Sequence, residues 1–337
     1  MQKILVTGGV GYIGSHTVVE LLNSNFEVYI IDDLSNSDVK ILDNIKKITG
    51  KSVVFEQFNL KDKTKLADFF ERNSGIKSVI HFAALKAVGE SVEQPLRYYH
   101  DNLVSLMNLL SCMEEYQVEN LVFSSSCTVY GQPEVLPVTE QSPIFPAESP
   151  YGNTKKIAED IITDFIKVNP GIKATLLRYF NPVGAHESAL IGELPLGVPN
   201  NLMPIITQVA AGVREKLTVF GNNYNTKDGT CIRDFIHVVD LAKAHIASIN
   251  RMIKNENLEH IEIFNAGTGN GFTVLEIIES FERVSGVKLN YSIGERRAGD
   301  IEKIWANTSY INKELGWKAE KTLDDMTLSS WNWQKNL

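Results

Sequence analysis

Short apolar runs alternate with amphipathic stretches through the first half of the chain. Ile4-Leu-Val6, Val28-Tyr-Ile-Ile31, Val53-Val-Phe55, Val79-Ile-His-Phe82, Leu121-Val-Phe123 and Ala174-Thr-Leu-Leu177 read as buried strands, being brief, largely apolar and rich in β-branched and aromatic residues. Between them Ser15 to Leu22, Leu66 to Phe70, Leu96 to Met113 and the stretch after Tyr151 carry the helical period. Parallel strands need long crossovers, usually helices. The rhythm therefore predicts an α/β fold, a Rossmann-type doubly wound parallel sheet with ligands at the carboxyl ends of its strands.

Beyond Asn181 the rhythm loosens into loops rich in Pro, Gly and Asn (Pro182, Gly184, Pro195, Gly197, Pro199, Asn200), with short strands such as Leu217 to Phe220. Two units are expected, 1–180 and 181–337, the second a smaller mixed α/β substrate-binding domain. Phe235-Ile-His-Val-Val-Asp240 and the helical Leu241 to Ile249 repeat the texture of the first half, so a segment near 235–250 is expected to return to it.

With 337 residues, 43% apolar and 22% charged, the chain has ordinary soluble composition. A formal net charge of −8 withholds the cationic field that a phosphate backbone requires, so no nucleic-acid partner is expected. Three irregularly spaced cysteines, Cys112, Cys127 and Cys231, make neither a disulfide framework nor a zinc site, and their odd number suits a reducing compartment. No apolar run reaches membrane-spanning length and no signal-like segment precedes the first strand. The expectation is a cytoplasmic protein without membrane contact or a bound metal.

Gly8, Gly11 and Gly14 lie between the first strand and an amphipathic helix, one residue longer in the first turn than the usual GxGxxG. Small residues there let backbone N–H groups approach a pyrophosphate, and the helix N-terminus adds partial positive charge. Asp32 and Asp33 close the second strand where a carboxylate meets ribose hydroxyls, and Asp32 favours NAD over NADP because a 2′-phosphate would face negative charge. Further on, Tyr151 and Lys155 stand four residues apart on one helix face, downstream of Ser124-Ser-Ser126. A phenol titrates at about pH 10, and an ammonium beside it could lower that by roughly 1 to 3 units, making a base. The spacing alone also fits a packed tyrosine and a solvated lysine, and all three serines could be strand-end hydroxyls capping backbone groups.

Thr7-Gly-Gly-Val-Gly-Tyr-Ile-Gly-Ser-His16, Leu85-Lys-Ala-Val-Gly-Glu-Ser91, Phe123-Ser-Ser-Ser126, Arg178-Tyr-Phe-Asn-Pro-Val-Gly-Ala-His186, Pro199-Asn-Asn-Leu-Met-Pro204 and Arg233-Asp-Phe-Ile-His237 together resemble the extended short-chain dehydrogenase/reductase family, and within it the UDP-hexose 4-epimerases. The resemblance covers nearly the whole chain. It implies a homodimer joined through two helices per subunit, for which Leu96 to Met113 and Tyr151 to Phe165 are candidates. It also implies an NAD that is never released and a UDP-sugar whose 4-hydroxyl is oxidised, then reduced from the other face. Tyr151 is implied as the base, Lys155 as its cation and nicotinamide-ribose ligand, Ser126 as proton relay and Ser124 as a cofactor-side residue. Matching positions place Tyr12, Ile13, Leu34, Ser35, Asn36 and Ser37 along the cofactor, and Leu60, Phe82, Ala83, Ala84, Lys86, Tyr179 and Phe180 on its other sides. Asn181, Asn201, Leu202, Phe220, Arg233, Arg297 and Asp300 are implied as UDP anchor and sugar contacts.

Several positions depart from the family pattern. Asn59 replaces an aspartate expected to face the adenine amino group, Asp101 replaces an asparagine on the cofactor side, Phe235 replaces a frequent tyrosine, and Cys127 stands where alanine is common, as a packed thiol. Ile304 occupies the position bordering the sugar's 2-substituent, where a tyrosine tends to exclude N-acetylated sugars. UDP-glucose and UDP-galactose are therefore the expected pair, with UDP-GlcNAc and UDP-GalNAc as the alternative. A dehydratase would place Asp-Glu after the catalytic serine or threonine, whereas this chain has Cys127-Thr128. A non-catalytic NAD-binding sensor is disfavoured because both Tyr151 and Lys155 are present.

Overall fold

Residues 1–297 and 300–337 are described in the computed structural model. The strands β1 (Lys3–Thr7), β2 (Glu27–Asp32), β3 (Val54–Gln57), β4 (Ile76–His81), β5 (Asn120–Ser126) and β6 (Lys173–Tyr179) lie in one sheet; β7 (Asn181–Val183), β8 (Leu217–Phe220) and β9 (Ile232–His237) leave it, and β10 (Ile261–Ala266) returns. The order is β10-β6-β5-β4-β1-β2-β3, every pair parallel, so the order reverses between β1 and β4. Such a reversal opens a crevice at the strand carboxyl ends, where a ligand can enter.

The crossovers in this half are α1 (Tyr12–Asn23), α2 (Ile41–Thr49), α3 (Lys63–Arg72), α4 (Val88–Glu93), α5 (Pro95–Glu115) and α6 (Pro150–Val168). Successive strand residues point to opposite faces, and both faces are covered. Ile4, Val6, Ile30, Ile80 and Val122 pack with Val18, Leu21 and Ile45 on one side, while Leu5, Ile31, Val79 and Leu121 pack with Leu66, Phe69, Leu109 and Ile162 on the other. This two-sided burial is why the strands read as apolar runs rather than alternating ones.

The remaining elements are α7 (Leu202–Ala210), α8 (Val238–Ile253), β11 (Gly271–Thr273), α9 (Val274–Ser285), β12 (Tyr291–Gly294), β13 (Lys303–Ile304), α10 (Ser309–Leu315) and α11 (Leu323–Lys335). β9 pairs with β7, β11 and β13, and β8 pairs with β12. Met203, Ile206, Phe235, Ile277, Phe281 and Met326 form a separate apolar core here. Residues from α8 to β10 pack against the main layer, whereas Phe235 of β9 belongs to the separate core. Leu241 and Ile249 of α8 join the core containing Val18 and Leu21 of α1, and the chain continues into β10, which covers the edge of β6. Glu262 hides that strand from an apolar scan; its carboxylate is buried and neutralised by Arg251, whose Nε lies 2.7 Å away.

Candidate active site

The glycine loop is shaped by contacts that exclude side chains. Gly8 has φ +71°, and a Cβ there would stand 2.8 Å from the Ala83 backbone nitrogen; a Cβ on Gly14 would strike the Gly8 carbonyl oxygen. Gly11 is the N-cap of α1 and offers no capping side chain, so the first-turn N–H groups of that helix remain available to an anion. Asp32 is buried at the end of β2. It accepts from Val10 N (3.0 Å), Leu34 N (2.9 Å) and Ser37 Oγ (2.9 Å), leaving about one of its four lone-pair sites for a ribose hydroxyl. Burial raises its pKa above the usual carboxylate range, opposed by those bonds. A cradle that only glycine fits, an uncapped helix start and a carboxylate with spare capacity suit a dinucleotide.

Asn59 donates to Asp33 Oδ2 (2.6 Å) and its amide oxygen accepts from Lys61 N (2.9 Å), so the acceptor expected to face adenine keeps one lone pair. Asp101 is met by Lys61 Nζ at 2.5 Å and His100 Nδ1 at 3.1 Å. Burial would raise its pKa, but these bonds outweigh it and the net shift is downward; the extra negative charge is thereby balanced locally. Phe180 is buried against Cys127, Tyr130 and Ile304. Tyr12, expected along the cofactor, donates to the Gly184 carbonyl at 2.7 Å.

Ser149 caps α6 by accepting from Gly152 N (3.1 Å), and Pro150 occupies its first turn, so Tyr151 and Lys155 enter on a defined helical face. Asn102 braces the neighbouring turn, accepting from Leu85 N (2.8 Å) and donating to Thr154 Oγ1 (3.1 Å). Lys155 is buried and donates to the Ser124 carbonyl (2.6 Å) and hydroxyl (3.2 Å). The Ser126 hydroxyl lies beside the Tyr151 phenol and favours its ionised form.

One expectation is corrected. Burial pushes Tyr151 up to about 12 rather than below its ordinary value, and the Ser126 hydroxyl opposes this only in part. Lys155 does not reverse it: its ammonium is committed to Ser124 and stands 6.0 Å from the Tyr151 ring centroid. Burial drives that ammonium down to about 7, opposed by the Glu159 carboxylate.

Across the crevice, Asp300 accepts from Arg297 at 2.7 Å and lies 4.0 Å from Arg233. The Arg297 guanidinium also sits 5.6 Å from the Phe220 ring centroid, so these four residues converge. Asn201 caps the start of α7 by position, followed by Leu202, but its side chain donates instead to Glu193 Oε1 at 2.6 Å. Glu193 also lies 3.6 Å from Lys86 Nζ. It belongs to no motif, and nothing in its loop signals that role. Asn181 opens β7 beside Phe235, and Ile304 is 1% exposed, packed with Cys127. Burial pushes the Cys127 thiol up to about 12, which fits a packed thiol. Among the described residues no helix is long and apolar enough to cross a membrane.

The family model described as GDP-mannose 4,6 dehydratase matches residues 5–329. UDP-glucose 4-epimerase of Haemophilus influenzae is 50% identical over 99% of this chain and 98% of that protein; UDP-glucose 4-epimerase of Bacillus subtilis is also 50% identical, over 99% and 97%. The crystal structure of UDP-glucose 4-epimerase from Bifidobacterium longum in complex with NAD+ and UDP superposes with a TM-score of 0.95 at 46% identity, covering 99% of this chain and 98% of that one. Cys127-Thr128 follows Ser126 in place of the Asp-Glu expected of a dehydratase. Full-length identity at this level, together with a serine, tyrosine and lysine gathered at the end of β5, leads to one assignment: the chain belongs to the UDP-glucose 4-epimerase family of extended short-chain dehydrogenases/reductases.

Proposed function

We propose that this chain interconverts UDP-glucose and UDP-galactose through a transient 4-keto sugar, with NAD retained throughout. The observation that carries the reading is the buried Ser124, Ser126 and Lys155 gathered with Tyr151 at the end of β5, next to a glycine cradle that admits a dinucleotide. When bound, NAD+ supplies the hydride acceptor for carbon 4 and a positive charge that favours a phenolate. Tyr151 takes the 4-hydroxyl proton, directly or through Ser126, and returns it when the ketone is reduced. Lys155 holds the cofactor side of the site in place. Arg233 and Arg297 grip the pyrophosphate with charge-assisted bonds while the sugar turns to present its other face.

In this reading residues 1–180 with the segment through Ala266 hold the cofactor, and the rest of the second half holds the UDP-sugar. Three buried free thiols support a reducing, cytosolic setting. The faces of α5 and α6 away from the sheet are the proposed homodimer contact. Purified protein is expected to carry NAD and to interconvert the two sugars without added nicotinamide; cofactor-loaded protein that leaves both unchanged overturns the proposal. Assaying UDP-GlcNAc and UDP-GalNAc alongside tests the alternative pair, which Ile304 admits by lacking a tyrosine's reach.

A further inference from the structure

Three residues of α6 at successive turns, Tyr151, Lys155 and Glu159, meet the three consecutive serines of β5. Tyr151 lies beside Ser126, Lys155 bonds Ser124, and Ser125 Oγ donates to Glu159 Oε1 at 2.5 Å. Strand alternation explains the division: Ser125 faces α6 with Leu121 and Phe123, while Ser124 and Ser126 turn to the other face. Glu159 also accepts two bonds from Arg178, Nε at 2.9 Å and Nη2 at 2.5 Å. Arg178 continues to the Tyr130 hydroxyl (3.1 Å), which donates to Asn265 Oδ1 (2.7 Å). Ser125, Glu159, Arg178, Tyr130 and Asn265 are all buried.

A buried ion pair is often no more stabilising than apolar residues of the same volume, so stability alone is a weak reason for this one. Its placement supplies a stronger reason. We propose that Glu159 is a positioning residue: its carboxylate locks the register of α6 on β5, so that Tyr151 meets Ser126 and Lys155 meets Ser124, and sets a negative charge against the Lys155 ammonium. This rests on the epimerase reading of the site. Around Lys155 stand Tyr151 and Glu159 on α6, His81 on β4, and the Phe123 ring and Ser124 on β5, with Arg178 of β6 bonded to Glu159 behind them. Glu159 supplies the negative charge among them, and His81 is held neutral, pushed down to about 3 by burial and then by Lys155.

The working form of Lys155 is the ammonium, lost as pH rises through its pKa. Glu159 raises that value, so neutralising Glu159 lowers it and activity fails at lower pH. In NAD-loaded, full-length protein, Glu159→Gln is expected to reduce kcat by about 10- to 100-fold, the scale of misplacing reacting groups, with KM nearly unchanged. Its high-pH limb is expected to move down by roughly 1 unit. Ser125→Ala keeps the charge pair and loses one bond; kcat is expected to fall about 3- to 10-fold with the limb unmoved. A kcat loss in Glu159→Gln with an unmoved limb marks a merely structural residue and overturns the proposal, as does a wild-type kcat. If Glu159→Gln does not fold, Ser125→Ala decides, and wild-type kcat in it overturns the register role. Inactive wild type overturns the epimerase reading itself.

Discussion

The two sides of the crevice are built to different standards. On the sheet side Ser124, Ser126 and Lys155 are buried, Lys155 bonds Ser124 and Ser126 accepts from Thr128 N before any ligand arrives, and the Tyr151 phenol lies beside Ser126. On the opposite side Phe220 is 43% exposed, the Arg297 side chain is 55% exposed, and Asn201 bonds Glu193, another residue of the crevice. Reacting groups must sit within a fraction of an ångström of their working geometry, whereas an anchor must admit and release a charged ligand. Rigidity is therefore concentrated where bonds change.

Acid is expected to attack the rigid side first, with the largest effect. His16, His81 and His245 are buried in the sheet half and His237 at its junction, pushed by burial to about 3, 3, 4 and 4. Unfolded, each would titrate near 6.5. Below that pH the unfolded chain binds more protons than the folded one, so stability is full above 6.5 and falls as pH drops toward 4. Asp32, Glu140 and Asp234, whose pKa values burial raises, act in the opposite sense at the acidic end, which makes pH 6.5 to 5 the clean window. Urea midpoints at pH 7 and pH 5 test this, and equal midpoints would refute it.

Next in size is Tyr151→Phe. If Tyr151 is the base proposed above and the glycine cradle the cofactor site, its loss is expected to lower kcat by about 100-fold or more while NAD stays bound. Absorbance of bound NAD after gel filtration, with turnover on UDP-galactose, gives both readings. A rate near wild type would remove Tyr151 from the chemistry and erase the contrast between the two sides.

The rigid side was also the legible one. Two-sided burial makes β1, β2 and β4 visible as apolar runs, and Gly8, Gly11, Gly14, Tyr151 and Lys155 carry their meaning in spacing within one loop or one helix. Glu159, four residues beyond Lys155, passed unmarked, because its partners Ser125 and Arg178 lie on other strands and only the register of β5 against β6 brings them together. The same reason hid the Lys155 bond to the Ser124 carbonyl. On the anchoring side Asp300 meets Arg233 from a strand 67 residues earlier in the chain, and Glu193 meets Lys86 and Asn201 from separate loops. Such contacts follow from topology, and no local period encodes them.

The two arginines allow the smallest and most discriminating test, because both are on the anchoring side and differ in degree of confinement. The Arg233 side chain is 18% exposed and bonded to the Ile232 carbonyl at 2.9 Å, so its guanidinium is aimed before binding. Arg297 reaches Asp300 from a largely exposed position, where solvent screens it and its rotamers must be ordered by the ligand. A charge-assisted bond contributes about 1.5–3 kcal/mol, so Arg233→Ala is expected to raise the KM for UDP-glucose, and the inhibition constant of UDP, by roughly tenfold or more. Arg297→Ala is expected to raise both by only about threefold, the scale of an exposed ion pair. Neither should change kcat by more than about twofold, since neither touches the groups that move protons. Equal effects of the two substitutions would mean that confinement does not set anchoring strength here, and a kcat loss in either would mean that the two sides are coupled rather than divided.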